Sequence, residues 1–342
     1  MTYVLVVVAL TLALPWGAAA MANTLAGRLP PRRACRMLTG AAVLLAGGTV
    51  AALVGLFHVP FLASLERLPL TRVLAEWPAA VPVACAAGGV LLSQLALLVR
   101  RVLRHRSLLR RAWLSADEGT GGGDLLVVPG QDVDAFALPG YRGRRGRVVV
   151  TSGMVRSLNP GEREVLLAHE RAHLAGRHHL LSMVVDLAAV VHPALRSLRE
   201  TLGFHLERWA DEEAAAAVGD RRVAAAAIAR AALAGASQRR SDGCPLLSAT
   251  SGPVPRRVEA LLRPASAPPR GRAGRAGAVA LAGSVVLAAV AALATAYGLH
   301  EYVEYAARRL TGASWQHGAP DGPSTSRSAG VIPRPLGSGR SA

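Results

Sequence analysis

The chain contains four long apolar runs, and these constrain its fold more than any other feature. They cover residues 3–21, 38–57, 81–99 and 278–299, and none of them contains a charged side chain. A run of about 20 such residues spans a bilayer as a helix, because the hydrocarbon core holds no water to bond free backbone groups. The sequence therefore predicts three transmembrane helices within residues 1–112 and a fourth at 278–299.

The first run has a second interpretation as a secretory signal peptide. Ala18, Ala19 and Ala20 resemble the small residues of a cleavage site. However, no basic segment precedes the run, and further apolar runs follow it. These observations favour a retained helix.

Basic residues concentrate beside the apolar runs. All 39 basic side chains are arginines, against 22 acidic ones, which gives a net charge of +17. The use of arginine alone, with abundant alanine, is typical of a GC-rich bacterial genome. Arginines cluster at residues 28–36, 100–111 and 270–275, and such segments stay on the cytoplasmic side of the plasma membrane. The pattern predicts a multi-pass protein in contact with the lipid bilayer. No nucleic-acid-binding motif accompanies it, so no nucleic acid partner is expected.

This topology places a domain of residues 113–268 on the cytoplasmic side. Short extended stretches at 124–128, 135–139 and 147–151 predict a small sheet. The apolar segment 180–191 is short for a span, so we expect a buried or membrane-resting helix there, and whether it enters the membrane stays open. Residues 300–342 would form an external tail, rich in Gly, Ser and Pro from Thr311, a composition from which we expect disorder.

The chemistry of the domain is indicated by an HExxH motif formed by His169, Glu170 and His173. Positions four apart share one face of a helix, so both imidazoles can bind a single Zn²⁺. Glu170 then stands where its carboxylate can take a proton from a water molecule beside the metal. Asn159 and Pro160 are suited to begin this helix. The three cysteines are too scattered for a cysteine-type zinc site or a disulfide framework.

A tetrahedral catalytic zinc needs a third protein ligand. Spacing favours Glu207, on an alanine-rich helix expected to begin near Leu206, with Asp211 on the same face to accept a hydrogen bond from a ligating imidazole. An acidic first turn, favoured by the helix dipole alone, is the alternative interpretation of these carboxylates. Asp186, Glu200 and His205 are the other candidates for the third ligand, although Gly203 is expected to interrupt the helix after Glu200.

An ordered series of motifs resembles the membrane-bound zinc metallopeptidases. The series "NAFA…VTSGLL…HExxH…ExxxD" is matched by residues 135–137, 149–154, 164–173 and 207–211, with a late basic stretch at 255–258. The four-span layout is most similar to the BlaR/MecR-like type, family fifty-six, which is related to the HtpX-type and prenyl-protease-type enzymes of family forty-eight. The chain differs in having Asp134 where the HtpX-type pattern has Asn, and only a short tail where BlaR/MecR-type sensors carry a large external domain.

The resemblance implies that His169, His173 and Glu207 bind one zinc ion, that Glu170 is the general base, and that Asp211 supports the site. The expected fold is mainly α, with four transmembrane helices and a zincin-like (gluzincin) α+β peptidase domain. The expected function is a zinc metalloendopeptidase that cleaves protein or peptide substrates at the cytoplasmic face. One alternative is an antirepressor peptidase that makes a single cut in itself or in a transcriptional repressor. Another is a zinc-dependent scaffold without catalysis. The residues do not reveal an oxyanion-stabilising group.

Overall fold

The computed structural model describes residues 2–65, 78–241, 254–263 and 283 of the chain. Within these ranges the protein is mostly helical, with one small sheet, as predicted. The elements in chain order are α1 (Thr2–Ala26), α2 (Pro31–Leu65), α3 (Ala80–Ala116), β1 (Leu125–Val128), β2 (Ala135–Leu138), β3 (Arg147–Thr151), α4 (Ser152–Ser157), α5 (Pro160–Ala175), α6 (His178–Val191), a 3₁₀ turn (Pro193–Arg196), α7 (Ser197–Val218), α8 (Arg221–Ser241) and α9 (Val254–Leu262).

Two helices of the described part are long and apolar enough to cross a membrane. They are the segment Pro31–His58 of α2 and the whole of α3, and they contain the second and third predicted spans. The first predicted span lies within α1. The fourth, apart from Gly283, lies outside the described residues, as does the tail of residues 300–342. The two helices indicate a membrane protein, and a total of four spans remains a prediction.

The N-terminal helices share a hydrophobic core with the helices that follow the HExxH motif. This core, called the bundle core below, includes Ala22 of α1, Leu38 and Leu45 of α2, Val185 of α6 and Leu198 of α7, all nearly inaccessible to solvent. Ala18 and Ala19 are buried in the same core, and retention of the first helix stays a prediction. The α6 helix is also tied to α3, because the Gln94 side-chain amide donates to the Val191 carbonyl at 2.9 Å.

The sheet has three strands in the order β1-β3-β2, with β1 parallel and β2 antiparallel to β3. Side chains alternate between its faces. Val149 faces the end of α3, where it packs with Trp113, whereas Val148 and Val150 pack with side chains of α5. Covering both faces explains why Val148, Val149 and Val150 are all buried. Strand β2 is left as an edge, and it is the edge beside the HExxH helix.

The α5 and α6 helices meet at a sharp corner. Only together are the two helices long and apolar enough to cross a membrane, and they are bent by 54° at the break between them. However, α5 carries Glu162, Arg163, Glu164 and Arg171, which disfavours a position in hydrocarbon. The α6 helix, over the segment expected to be buried or membrane-resting, packs into the bundle core.

One expectation about the following helix was wrong. The helix that carries Glu207 begins at Ser197 rather than near Leu206, and it continues through Gly203 without a break. A single glycine costs a helix only about 1 kcal/mol, and buried Leu198 and Leu202 anchor the added turns in the bundle core. Glu207 therefore lies in mid-helix, so a favourable helix dipole in a first turn does not account for it.

Candidate metal centre

The HExxH motif lies on α5, whose start is defined by local hydrogen bonds. Asn159 and Glu162 form a capping box, in which each side chain accepts from the other residue's backbone N–H at 2.9 Å. Pro160 occupies the first turn, as predicted. Val165 is buried against α7 and α8. This register turns His169, Glu170 and His173 toward α7 and the β2 edge.

Three side chains meet where α5 crosses α7. Nε2 of His169 lies 3.2 Å from Nε2 of His173. The Glu207 carboxylate lies 3.6 Å from the first nitrogen and 3.5 Å from the second. A tetrahedral zinc ion with bonds of about 2.0–2.2 Å separates its ligand atoms by about 3.3–3.6 Å. The donor set and its spacing therefore fit zinc, and these residues form a group able to hold a metal ion.

A second carboxylate and a buried arginine surround this group. Asp211 Oδ1 lies 3.1 Å from Nδ1 of His169, off the direction of an ideal hydrogen bond. Arg257 of α9 donates two hydrogen bonds to Asp211, at 2.8 and 2.6 Å, and its Nη1 lies 2.9 Å from Glu207. All of these side chains are largely shielded from solvent. Arg257 thus joins both carboxylates from a helix that is distant in sequence.

The protonation of the metal-free site follows from these contacts. Burial lowers the pKa of His169, but the Asp211 and Glu207 carboxylates outweigh burial and raise that pKa to about 10. Burial raises the pKa of Glu207, but the bond from His169 and the nearby positive charges dominate and hold it at about 2. His173 has its pKa lowered to about 4, mainly by burial. The buried cluster is therefore balanced, with His169 and Arg257 positive and the two carboxylates negative.

Glu170 lies beside the group, on the wall of a cleft. Burial raises the pKa of Glu170 to about 7, although the charge of His169 and a hydrogen bond from the Ala137 backbone oppose this rise. The cleft has a volume of about 250 Å³ and runs between β2 and the helices α6 and α7. Its lining includes Ala137, Glu170, His173 and Glu207. A molecule in this cleft would contact the carboxylate and the metal ligands together.

The other proposed third ligands lie elsewhere. Asp186 is half-exposed and pairs with Arg199 at 2.6 Å. Glu200 is exposed, and His205 is buried with its ring against Phe204. None of the three belongs to the metal-binding group found among the described residues.

The motif also fits a longer pattern, HExxHxxGxxH, which ends at His179 and marks another class of zinc peptidase. In that class the last histidine would be expected to complete the site. Here the α5–α6 corner follows Gly176, and His179 lines the cleft wall while Glu207 joins the two histidines in the metal-binding group. The pattern match alone would have indicated a third ligand other than Glu207, the residue that the fold brings to the two histidines.

Two residues near the ligands received no role from the sequence. Arg257 lies in the late basic stretch noted above, but nothing in its spacing links it to Asp211, 46 positions earlier. His178 follows the motif directly, and its Nδ1 lies 2.7 Å from Nδ1 of His173. On a straight helix, side chains five positions apart point about 140° apart around the axis, so the contact depends on the corner between α5 and α6.

We predict that Arg257→Leu destabilises the metal-free protein by about 3–5 kcal/mol, because removal of one partner leaves buried charge uncompensated. A lower thermal unfolding midpoint in detergent would show this. Arg256→Leu is the matched control, since Arg256 is exposed and lies 4.9 Å over the Phe204 ring, a contact worth about 0.5–1 kcal/mol. Equal midpoints for the two variants would contradict the assigned role.

We also predict that zinc uptake depends on pH through His169. Zinc binds only the deprotonated imidazole, and the metal-free protein holds this proton up to about pH 10. Between about pH 7.5 and 9, the apparent affinity for zinc should rise by about tenfold per pH unit, with about one proton released per zinc. Competition with a chelator at each pH measures this affinity. Asp211→Asn removes a carboxylate that raises this pKa and should flatten the dependence; a flat profile in the unaltered protein would contradict the prediction.

Comparison with known proteins gives one family match. Residues 120–204 match the model of Peptidase family M48, a segment that includes the sheet and the HExxH helix but ends before Glu207. The match indicates a metallopeptidase, in agreement with the family-forty-eight part of the resemblance, and it does not extend to the BlaR/MecR-like type. No curated protein and no solved structure matches the chain. By its family match, the segment that carries the HExxH helix is similar to the M48 metallopeptidases.

Proposed function

We propose that this protein is a zinc-dependent metalloendopeptidase of the plasma membrane, with its active site at the cytoplasmic face. The observation that carries the proposal is the meeting of His169, His173 and Glu207 beside Glu170, in a cleft bounded by an open strand edge. The arginine-rich segments at residues 28–36 and 100–111 support the cytoplasmic orientation, because they adjoin the two candidate spans.

The edge strand β2 supplies a means of holding an extended peptide. The Thr151 N–H donates to the Asp134 carbonyl at 3.0 Å, which makes 134 and 151 a hydrogen-bonded pair. Alternation along an antiparallel ladder then turns the backbone groups of Ala135 and Ala137 away from β3. The Ala135 N–H donates to Asp134 Oδ1 at 2.9 Å and the Ala137 N–H to Glu170, so a substrate strand would donate to the carbonyls of these two residues. Ala137 lines the cleft. A substrate strand added at this edge would lie across the metal ligands.

His169, His173 and Glu207 would hold the zinc ion. Bound there, zinc would supply Lewis-acid chemistry, which polarises a scissile carbonyl and acidifies water. Glu170 would take the proton from the attacking water and deliver it to the leaving amine. In the metal-free protein, burial raises the pKa of Glu170 to about 7, near the working pH at which a group that both accepts and donates a proton is most effective. The Ala137 N–H would keep the carboxylate aimed into the cleft.

Two finer assignments go with this proposal. The layout of spans resembles the BlaR/MecR-like type, for which the function would be a single regulatory cut in the protein itself or in a repressor. The M48 match favours a broader proteolytic role. A catalytically inactive zinc scaffold is a third reading, and it predicts that the Glu170 carboxylate is dispensable.

We predict that Glu170→Gln lowers peptide cleavage by at least about 10²–10⁴-fold while zinc stays bound, because the amide cannot accept the proton. Purified full-length protein in detergent would be tested on fluorescein-labelled casein, with self-cleavage followed by mass spectrometry. Glu164→Gln is the matched control, since Glu164 is exposed on the same helix and points about 120° around the axis from Glu170.

Substantial turnover by Glu170→Gln would contradict the assignment of the base. Cuts at many sites in casein would favour general proteolysis. One cut, confined to the protein itself, would favour the regulatory alternative.

A further inference from the structure

His178 stands directly behind the ligand His173. Nε2 of His173 faces His169 and Glu207, and its other nitrogen, Nδ1, lies 2.7 Å from Nδ1 of His178. The two rings are perpendicular, with centroids 4.7 Å apart. A hydrogen bond of this length requires that one nitrogen carries the proton and the other accepts it. Because a ligating Nε2 must keep its lone pair, the proton belongs on Nδ1 of His173.

We infer that His178 is a positioning residue for the metal centre. Its Nδ1 accepts the proton of His173 Nδ1–H, which selects the His173 tautomer with a free lone pair on Nε2 and fixes the orientation of that ring. On the other ligand, the Asp211 carboxylate lies 3.1 Å from Nδ1 of His169. At His173, the acceptor of the ligand's N–H is a neutral imidazole, whereas a carboxylate or a backbone carbonyl is usual. The buried site therefore gains no further negative charge. The inference rests on the proposed zinc site.

Three independent features hold the His178 ring in place. Arg177, the residue before it, has a left-handed backbone with φ of 50°, a conformation that costs a non-glycine residue about 1 kcal/mol or more. A Cβ on Gly176 would stand 2.4 Å from Nε2 of His178, so only glycine leaves space for the ring. The Trp209 ring packs against it with centroids 4.6 Å apart.

A fourth feature, the unpaired second nitrogen of His178, is energetically unfavourable. Nε2 of His178 is buried and has no hydrogen-bond partner among the described residues. A buried polar atom without a partner costs about 1–3 kcal/mol, and such atoms call for an explanation. A strained residue, an obligatory glycine and an unpaired nitrogen together place one imidazole against one metal ligand. A role limited to packing would be served at lower cost by an apolar side chain.

Trp209 links this arrangement to the membrane helices. The Arg32 guanidinium lies 5.4 Å from the centre of the Trp209 ring, and Arg32 belongs to the first turn of α2, a candidate span. The Trp209 indole N–H donates to Glu213 at 3.1 Å, which fixes the ring from its own helix. The stack therefore runs from the start of α2 through Trp209 and His178 to His173.

The test is zinc affinity, measured on full-length protein in detergent by chelator competition, with the visible spectrum of the Co²⁺-loaded protein as a report on ligand geometry. His178→Ala should weaken zinc binding by about 10–100-fold and alter the Co²⁺ spectrum. His178→Asn should restore affinity to within about threefold of the unaltered protein, because its amide oxygen can replace Nδ1 as the acceptor. Gly176→Ala should behave like His178→Ala, since it displaces the ring. The matched control is His105→Ala, on α3 and outside the metal group, which should bind zinc normally.

Normal affinity and an unchanged Co²⁺ spectrum in His178→Ala would overturn the inference while leaving the zinc site standing. Should His178→Ala fail to fold, His178→Asn decides: loss of affinity as large as that of Gly176→Ala would overturn the role of the acceptor. Failure of the unaltered protein to bind zinc would instead overturn the proposed function, and the inference with it.

Discussion

The site depends on charge balance in a place with little water. Glu207 and Asp211 are both buried on one face of α7, and they are kept ionised by two positive partners, His169 and Arg257. Burying an ion without a partner of opposite charge costs much solvation free energy, so each of these four groups is stabilised in its charged form by the others beside it. A zinc ion would take over the positive charge that the His169 proton supplies in the metal-free protein. Arg257 remains in either state, and its bonds to Glu207 and Asp211 join α9, a helix distant in sequence, to α7.

The candidate membrane helices and the helices of the metal-binding group are not separate structures. One apolar core joins α1 and α2 to α6 and α7, and the end of α3 packs on the sheet. The proposed metal ligands lie on α5 and α7, so the geometry of the site is set by helices that rest directly on a candidate span. This arrangement would give the proposed peptidase a physical basis for cleavage close to the membrane surface, and it places the start of α2 within a few side chains of His173.

Most of the correct predictions came from patterns within a single helix or strand. The spacing of HExxH, the cap at Asn159 and Pro160, and the three β-branched or apolar stretches each depend on neighbours within one element, and the structure has them where the sequence indicated. The pair Glu207 and Asp211 could be predicted for the same reason, because residues four apart lie on one face of a helix. The start of α7 was misjudged because Gly203 looked like a break, whereas buried leucines before it hold the helix together.

Contacts between distant segments could not be predicted from the sequence in this way. Arg257 reaches Asp211 only because α9 packs on α7 and α8, and no periodicity in the sequence encodes that contact. His178 meets His173 only through the left-handed turn at Arg177. A pattern match by itself even favours His179, which the fold leaves on the cleft wall. What one element determines could be predicted, and what the packing of several elements determines could not.

The most direct test of the account is the metal content of the detergent-purified protein, beside that of a Glu207→Ala variant. We expect one zinc ion per chain in the unaltered protein, and loss or strong weakening of binding in the variant, because Glu207 is the third ligand of the proposed site. Absence of zinc from the unaltered protein, or equal zinc in both, would contradict the central claim.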